Sequence, residues 1–296
     1  MAKKASAPAP VEEPKTNLPA IVQTYDYGED AGAGTEQVDV KDIAIPRLKL
    51  GQSMTPEVKD KIVEEGDLYH SITKEVVCAK GDKLKGIIVG ITTEYILWRD
   101  RKTGGGIMAR AKRVQTKNGY RYKWDKPNST FTDKLDGRTA VEYKTAEYID
   151  QDKLSEWGTQ VPNDPESGPA ATKHHHYLVC LPERNFEVVA ISLARTAEKK
   201  AKNLNAIINA PMSNGQVPPL FAKMYNLSTV EEVSGDNRYA NWVFDGAGFI
   251  DPKSDTFHRA KTVFDQFKTA SYQVAMDDDA QNEARAGSKG TGDGKF

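Results

Sequence analysis

The stretch LKGIIVGITTEYILWRDRKTGGGIMARAKRVQTKNGYRYKW, residues 84–124, decides the fold. From Leu84 to Leu97 the β-branched and aromatic residues Ile87, Ile88, Val89, Ile91, Tyr95 and Ile96 form one long strand pattern, with Gly86 and Gly90 as bulge positions. Gly104-Gly105-Gly106 breaks it, and Ile107 to Val114 reads as the next strand. Lys117-Asn118-Gly119 is a hairpin turn, because Asn-Gly tolerates positive φ at both central positions. Tyr120 to Trp124 is the returning strand. The period is two, so the core is a sheet.

Working outward, the same grammar continues. On the N-terminal side, Ile43, Ile45, Leu48 and Leu50 bracket Pro46, which predicts an extended entry segment. Leu68 to Cys78 reads as one or two short strands. On the C-terminal side, Val141 to Ile149 fits a strand or a short helix, and the polar residues 158–172 a surface loop. His174–Leu181 and Phe186–Leu193 form a hairpin around Pro182-Glu183-Arg184-Asn185. Two helices are expected. One covers 196–209, with Ala197, Ala201, Leu204 and Ile208 at helical spacing before Pro211. The other covers 256–274, with Asp255 as N-cap and Phe257, Ala260, Phe264 and Phe267 on one face. The expected class is β-rich α+β: an antiparallel, partly open OB-like barrel elaborated with two or more helices.

Charge divides the chain into three parts. Residues 1–38 are rich in Ala, Pro, Gly and Glu and bury too little to offset ordering entropy, so a disordered acidic arm is expected there. A domain over 39–275 follows, then a flexible acidic tail over 276–296. The whole chain has a formal net charge of -1, yet residues 1–42 carry -4 and residues 276–296 carry -2, leaving a basic body. Such a body between acidic ends suits a polyanion ligand. No run approaches the roughly 18 apolar residues of a membrane helix, and the N-terminus lacks the apolar core of a secretory signal. Cys78 and Cys180 lie far apart in apolar runs, expected as buried small hydrophobes and not as a metal or disulfide framework. These features predict a cytoplasmic protein.

The chemistry concentrates between Tyr95 and Lys126. Ten basic residues fall there: Arg99, Arg101, Lys102, Arg110, Lys112, Arg113, Lys117, Arg121, Lys123 and Lys126. In this stretch only Asp100 and Asp125 oppose them, and Tyr95, Trp98, Tyr120, Tyr122 and Trp124 are interleaved. A single-stranded nucleic acid needs cations for its phosphates and flat rings for its unpaired bases. Alternation puts Tyr120, Tyr122 and Trp124 on one strand face, and Arg121 and Lys123 on the other. Trp98, beside the Arg99-Asp100-Arg101-Lys102 turn, is expected to be the exposed indole. The expected ligand is single-stranded DNA, bound with little sequence preference and without a cofactor.

Several short runs carry a family likeness: Ile45-Pro46-Arg47-Leu48-Lys49-Leu50, Thr55-Pro56-Glu57-Val58, Gly66-Asp67, Tyr95-Ile96-Leu97-Trp98, and Ser192 to Ile208. Over residues 39–250 the chain resembles bacteriophage single-stranded DNA-binding proteins. The resemblance implies an oligonucleotide-binding-type barrel, a role in phage DNA replication and recombination, and an acidic tail that recruits partner enzymes. Here that tail would be Asp277, Asp278 and Asp279 with the terminal Phe296, although Lys295 intervenes and the acids stand well before the ring. Self-association is compatible with this class.

Two other readings compete. Glu142-Tyr143-Lys144, with Asp125 or Asp136 upstream, matches the loose pattern of a magnesium-dependent nuclease, in which two acids hold the metal. Alternatively, the basic face meets an acidic protein and the chain is a virion or interaction component. His174-His175-His176 is too small a donor set for a metal site and is expected at an exposed strand entry or a phosphate contact. The marks of P-loops, nucleophile elbows and dinucleotide folds are missing, so a non-enzymatic binding protein is expected.

Overall fold

A computed structural model describes residues 45–161, 164–212, 214–234 and 237–269. The acidic arm expected over 1–38, and the tail residues Asp277, Asp278, Asp279 and Phe296, lie outside the described residues.

Three antiparallel sheets are present among the described residues. The smallest elements come first: β1 (Leu48–Leu50), β2 (Leu68–His70) and β3 (Val76–Cys78) form a three-stranded sheet. The main sheet runs β10 (Glu187–Ala194), β9 (Ala171–Leu181), β4 (Leu84–Trp98), β11 (Lys223–Ser234), β12 (Asn237–Phe249). β5 (Ile107–Thr116) and β6 (Gly119–Trp124) branch from it, and β7 (Thr130–Leu135) with β8 (Thr139–Lys144) make a separate hairpin. The expected antiparallel, β-rich class is correct. Among the described residues the sheets are not closed into a barrel.

The 15-residue β4 explains why. Along one edge it pairs with β9 from Ile87 to Leu97, with Val89 as the extra residue of a bulge. Its other edge is divided: residues 84–87 pair with β11, whereas 94–98 pair with β5. The sheet therefore splays at its middle. Gly90 adjoins the bulge as expected, but Gly86 has a different role. A Cβ there would stand 2.5 Å from Val179 Cγ1 and 2.8 Å from Leu227 Cδ1, so the glycine permits close packing of three strands.

The short helices α1 (Pro56–Lys59) and α2 (Ile149–Asp152) lie in connections, and two longer helices cover both faces of the main sheet. α3 (Glu198–Asn209), entered through a 3-10 turn at Arg195–Ala197, buries Ala201, Leu204 and Ile208 against Tyr177, Val179, Ile191 and Trp242. α4 (Asp255–Thr269) buries Ala260 and packs Phe257, Phe264 and Phe267 against Val89, Leu178, Cys180 and Phe221 on the other side. Its cap is one residue earlier than expected: Ser254 Oγ accepts from the Phe257 amide at 3.2 Å. At the C-terminus of α3, the Lys223 ammonium donates to the Ile207, Ile208 and Ala210 carbonyls at 2.8–3.0 Å, which neutralises the negative end of the helix. Strands sandwiched this way are buried on both faces, which is why β9 is buried almost throughout, its histidines included. Cys78 and Cys180 are both buried free thiols, pushed up by burial to about 11 and about 12.

Candidate nucleic-acid interface

The β5–β6 hairpin leaves the sheet as an arm. β4 accompanies β5 only as far as Glu94 opposite Lys112, so residues 113–122 pair only with each other. The turn differs in detail from expectation. Thr116 pairs with Gly119, so the two turn residues are Lys117 and Asn118, and Gly119 alone takes positive φ, at 106°. Thr116 Oγ1 fixes it by donating to the Gly119 carbonyl at 2.6 Å.

One face of the arm carries Tyr120, Tyr122 and Trp124, as alternation requires, but the three rings have different fates. The β7–β8 hairpin and the short helix α2 (Ile149–Asp152) pack over the base of this face. They seal Trp124 at 2% exposure against Val141, Tyr143 and Ile149, and its indole N–H donates to Asp152 at 2.6 Å. Tyr122 is half-buried, edge-on to Tyr95 with ring centroids 4.8 Å apart. Tyr120 extends past the cover and is 62% exposed, with the Arg113 guanidinium stacked 3.8 Å from its ring centre. Tyr120 is the flat surface of the arm.

Two expected stacking residues are therefore corrected. Trp124 is core. Trp98 is also buried, at 8% exposure: it lies with Ile96 on the sheet face opposite Tyr95 and Leu97, where its N–H points at His174 Nε2, 3.4 Å away.

The cations sort into two groups. Arg110 is mostly buried and donates to Glu94 at 2.9 Å, so it is structural. Arg121 makes a two-pronged pair with Asp150 and stacks on Tyr148 at 3.8 Å. Lys123 pairs with Glu147 at 3.2 Å, Lys102 pairs with Asp136 at 3.6 Å, and Lys126 donates to the Met108 carbonyl. Lys112, Arg113 and Lys117 are exposed and make no ion pair among the described residues. Arg99 is exposed, whereas the Arg101 side chain lies outside what is described. The acids that oppose the arm, Glu94, Glu147 and Asp150, come from outside its own sequence or from the preceding strand. The exposed pairs of Arg121 and Lys123 contribute little and exchange readily for a phosphate, whereas the buried Arg110–Glu94 pair does not.

Beneath the arm, the histidine run is buried and not a strand entry: His174, His175 and His176 are all under 8% exposed. His176 bridges Ser192 Oγ (2.7 Å) and Glu94 Oε1 (3.1 Å), so Glu94 joins β4, β5, β9 and β10. Burial pushes the Glu94 carboxyl up, but the hydrogen bond and charge of His176, with Arg110 and Lys112, outweigh it and hold the group below its ordinary value. Burial, then the neighbouring charges of His176, Arg47, Arg195 and Arg110, keeps His174 far below the usual imidazole range. His175 is held at about 4, chiefly by burial.

The acids of the nuclease reading do not converge. Asp125 accepts from the Arg110 amide, Asp136 pairs with Lys102, and Glu142 pairs with Lys144 at 3.0 Å. No cluster of three metal-capable side chains occurs among the described residues.

Lys134 and Arg138 escaped the sequence reading. They flank the β7–β8 turn at Asp136-Gly137, where both residues have positive φ (53° and 70°). The signal was present: Asp-Gly between two alternating runs is a strong hairpin mark.

The whole defines an antiparallel α+β protein whose helix-covered sheet projects one basic, tyrosine-bearing hairpin. Residues 14–273 match the family model described as Pam3 phage gp34-like protein, and the chain belongs to that family, a family of phage proteins. No curated protein and no solved structure matches it. No helix among the described residues is long and apolar enough to cross a membrane.

Proposed function

We propose that this phage protein binds single-stranded DNA without strong sequence preference, in the host cytoplasm, during DNA replication or recombination. The observation that carries the reading is the exposed Tyr120 ring with Arg113 stacked on it, at the end of an arm that also presents Lys112 and Lys117. A base stacks on the free face of such a ring, and the adjacent cations neutralise its phosphates. Tyr122 and Tyr95 lie behind it as a half-buried second pair. A closed OB-type barrel is not needed for this; an open sheet with a projecting arm offers the same chemistry. The acidic tail, Asp277 to Asp279 with Phe296, is the segment that would recruit replication or recombination enzymes in this reading.

The test is a titration of end-labelled oligo-dT and of duplex against the full chain at several salt concentrations, read by anisotropy. Tryptophan quenching does not report on the arm, since Trp98 and Trp124 are buried and the exposed Trp157 lies outside it. Preference for dT over duplex is expected, with a log–log salt slope of about -3 for roughly four phosphates neutralised. Equal affinity for both, tracking charge alone, contradicts the reading and favours a general polyanion binder.

A further inference from the structure

We infer that the protein holds single-stranded DNA at two separated places, the second being the cleft between the β7–β8 hairpin and the loop that follows β4. This rests on the reading above and specifies its geometry. The cleft is a shallow, open groove of about 480 Å³, room for a nucleotide to lie against, and is lined by Arg99, Thr103, Lys134 and Glu142. Its floor is built and polar: the buried Asp133 accepts from the Asp100 amide at 2.6 Å and from Thr103 Oγ1 at 2.5 Å, which ties the 3-10 turn at Arg101–Thr103 to β7.

Around this floor the surface is basic. Lys134 and Arg138 are exposed and make no ion pair among the described residues, and Arg99 is exposed beside them in the lining. Gly137 brings the hairpin turn against Lys102, whose Cβ lies 3.5 Å from the position a Gly137 Cβ would take. The adjoining Gly104 and Gly106 face open space, so a sugar–phosphate chain can approach the loop backbone.

Position decides what this cleft does. It adjoins the start of β5, since Arg99 donates to the Gly106 carbonyl and Trp98 lies opposite Ile107. Tyr120 lies opposite Gln115, near the other end of the same strand. At about 3.3 Å per residue the two places are roughly 26 Å apart. The β7–β8 hairpin sits on the face that carries Trp124 and Tyr122, which is also the face of Tyr120. A strand lying along this face meets the ring at one end and Lys134 at the other. Stacked nucleotides at about 3.4 Å each would need on the order of eight units to reach both. Two linked contacts then gain by effective concentration.

The experiment is a length series of oligo-dT from about 4 to about 16 nucleotides, measured on the full chain and on the double variant Lys134→Ala/Arg138→Ala. The wild type is expected to gain at least tenfold in affinity as length passes about eight. The variant should match it for short oligonucleotides and lose that gain, and charge reversal at Lys134→Glu should deepen the loss. Both residues are exposed, and unchanged thermal unfolding verifies the fold. A variant that tracks the wild type at all lengths overturns the second site, as does a loss that is equal at all lengths. No binding by the wild type at any length overturns the parent reading along with it.

Discussion

Replacing Tyr120 with alanine is expected to weaken single-strand binding by roughly 1–3 kcal/mol, about 5- to 150-fold, while leaving the fold intact. The ring is 62% exposed and packs chiefly with the Arg113 guanidinium, so little native stability depends on it. Tyr120→Phe should retain most of the affinity, because the π-face and not the hydroxyl meets the base. Trp124→Ala supplies the contrast. That indole is fully enclosed and hydrogen-bonded to Asp152, and its loss should cost about 3–5 kcal/mol of stability. Anisotropy with oligo-dT and urea unfolding separate the two: Tyr120 should move affinity alone, and Trp124 should move stability first. An unchanged affinity in Tyr120→Ala would remove the stacking surface from the account.

Acid is expected to unfold this protein well above the pH at which carboxylates titrate. His174 and His175 stay neutral in the folded state, because burial and neighbouring cations depress them, to about 4 for His175. In the unfolded chain they protonate near the ordinary value of 6.5. The unfolded state therefore binds more protons below pH 6.5, and folded stability falls as pH falls through that window. Each group contributes about 1.4 kcal/mol per pH unit, so the pair contributes on the order of 3 kcal/mol per unit. Glu94 acts lower on the scale. Its folded value is depressed, so its contribution is complete above about 4.5 and disappears as pH falls through the folded value. Urea midpoints measured between pH 7.5 and 5 should decline steeply, and His174→Gln should flatten the decline. A midpoint constant down to pH 5 would contradict the placement of these side chains.

Much of the fold was legible because its signals are local. The alternation in β4, the hairpin of β9 and β10, and the 3.6-residue spacing of Ala201, Leu204 and Ile208 each specify an element without reference to the rest. Closure of a barrel is not a local property. It depends on which strand takes each half of the β4 edge, and the division between β11 and β5 is absent from any one segment. The site shows the same boundary. Alternation correctly put Tyr120, Tyr122 and Trp124 on one face, but exposure was decided by a hairpin at 130–144 that covers only the base of that face. Trp98 shares a face with Ile96, as alternation requires, but Ile107 and His174 close over it only after folding. The cationic track looked nearly unopposed because Glu94, Glu147 and Asp150 approach it only after folding.

The central claim is that an unpaired polynucleotide lies against the Tyr120 face of the β5–β6 arm. Ultraviolet cross-linking of the full chain to oligo-dT, followed by peptide mapping, tests it most directly. The account predicts a dominant adduct at Tyr120, with any others confined to residues 112–123 and the Lys134 hairpin. Adducts that map elsewhere while this arm stays unmodified would contradict it.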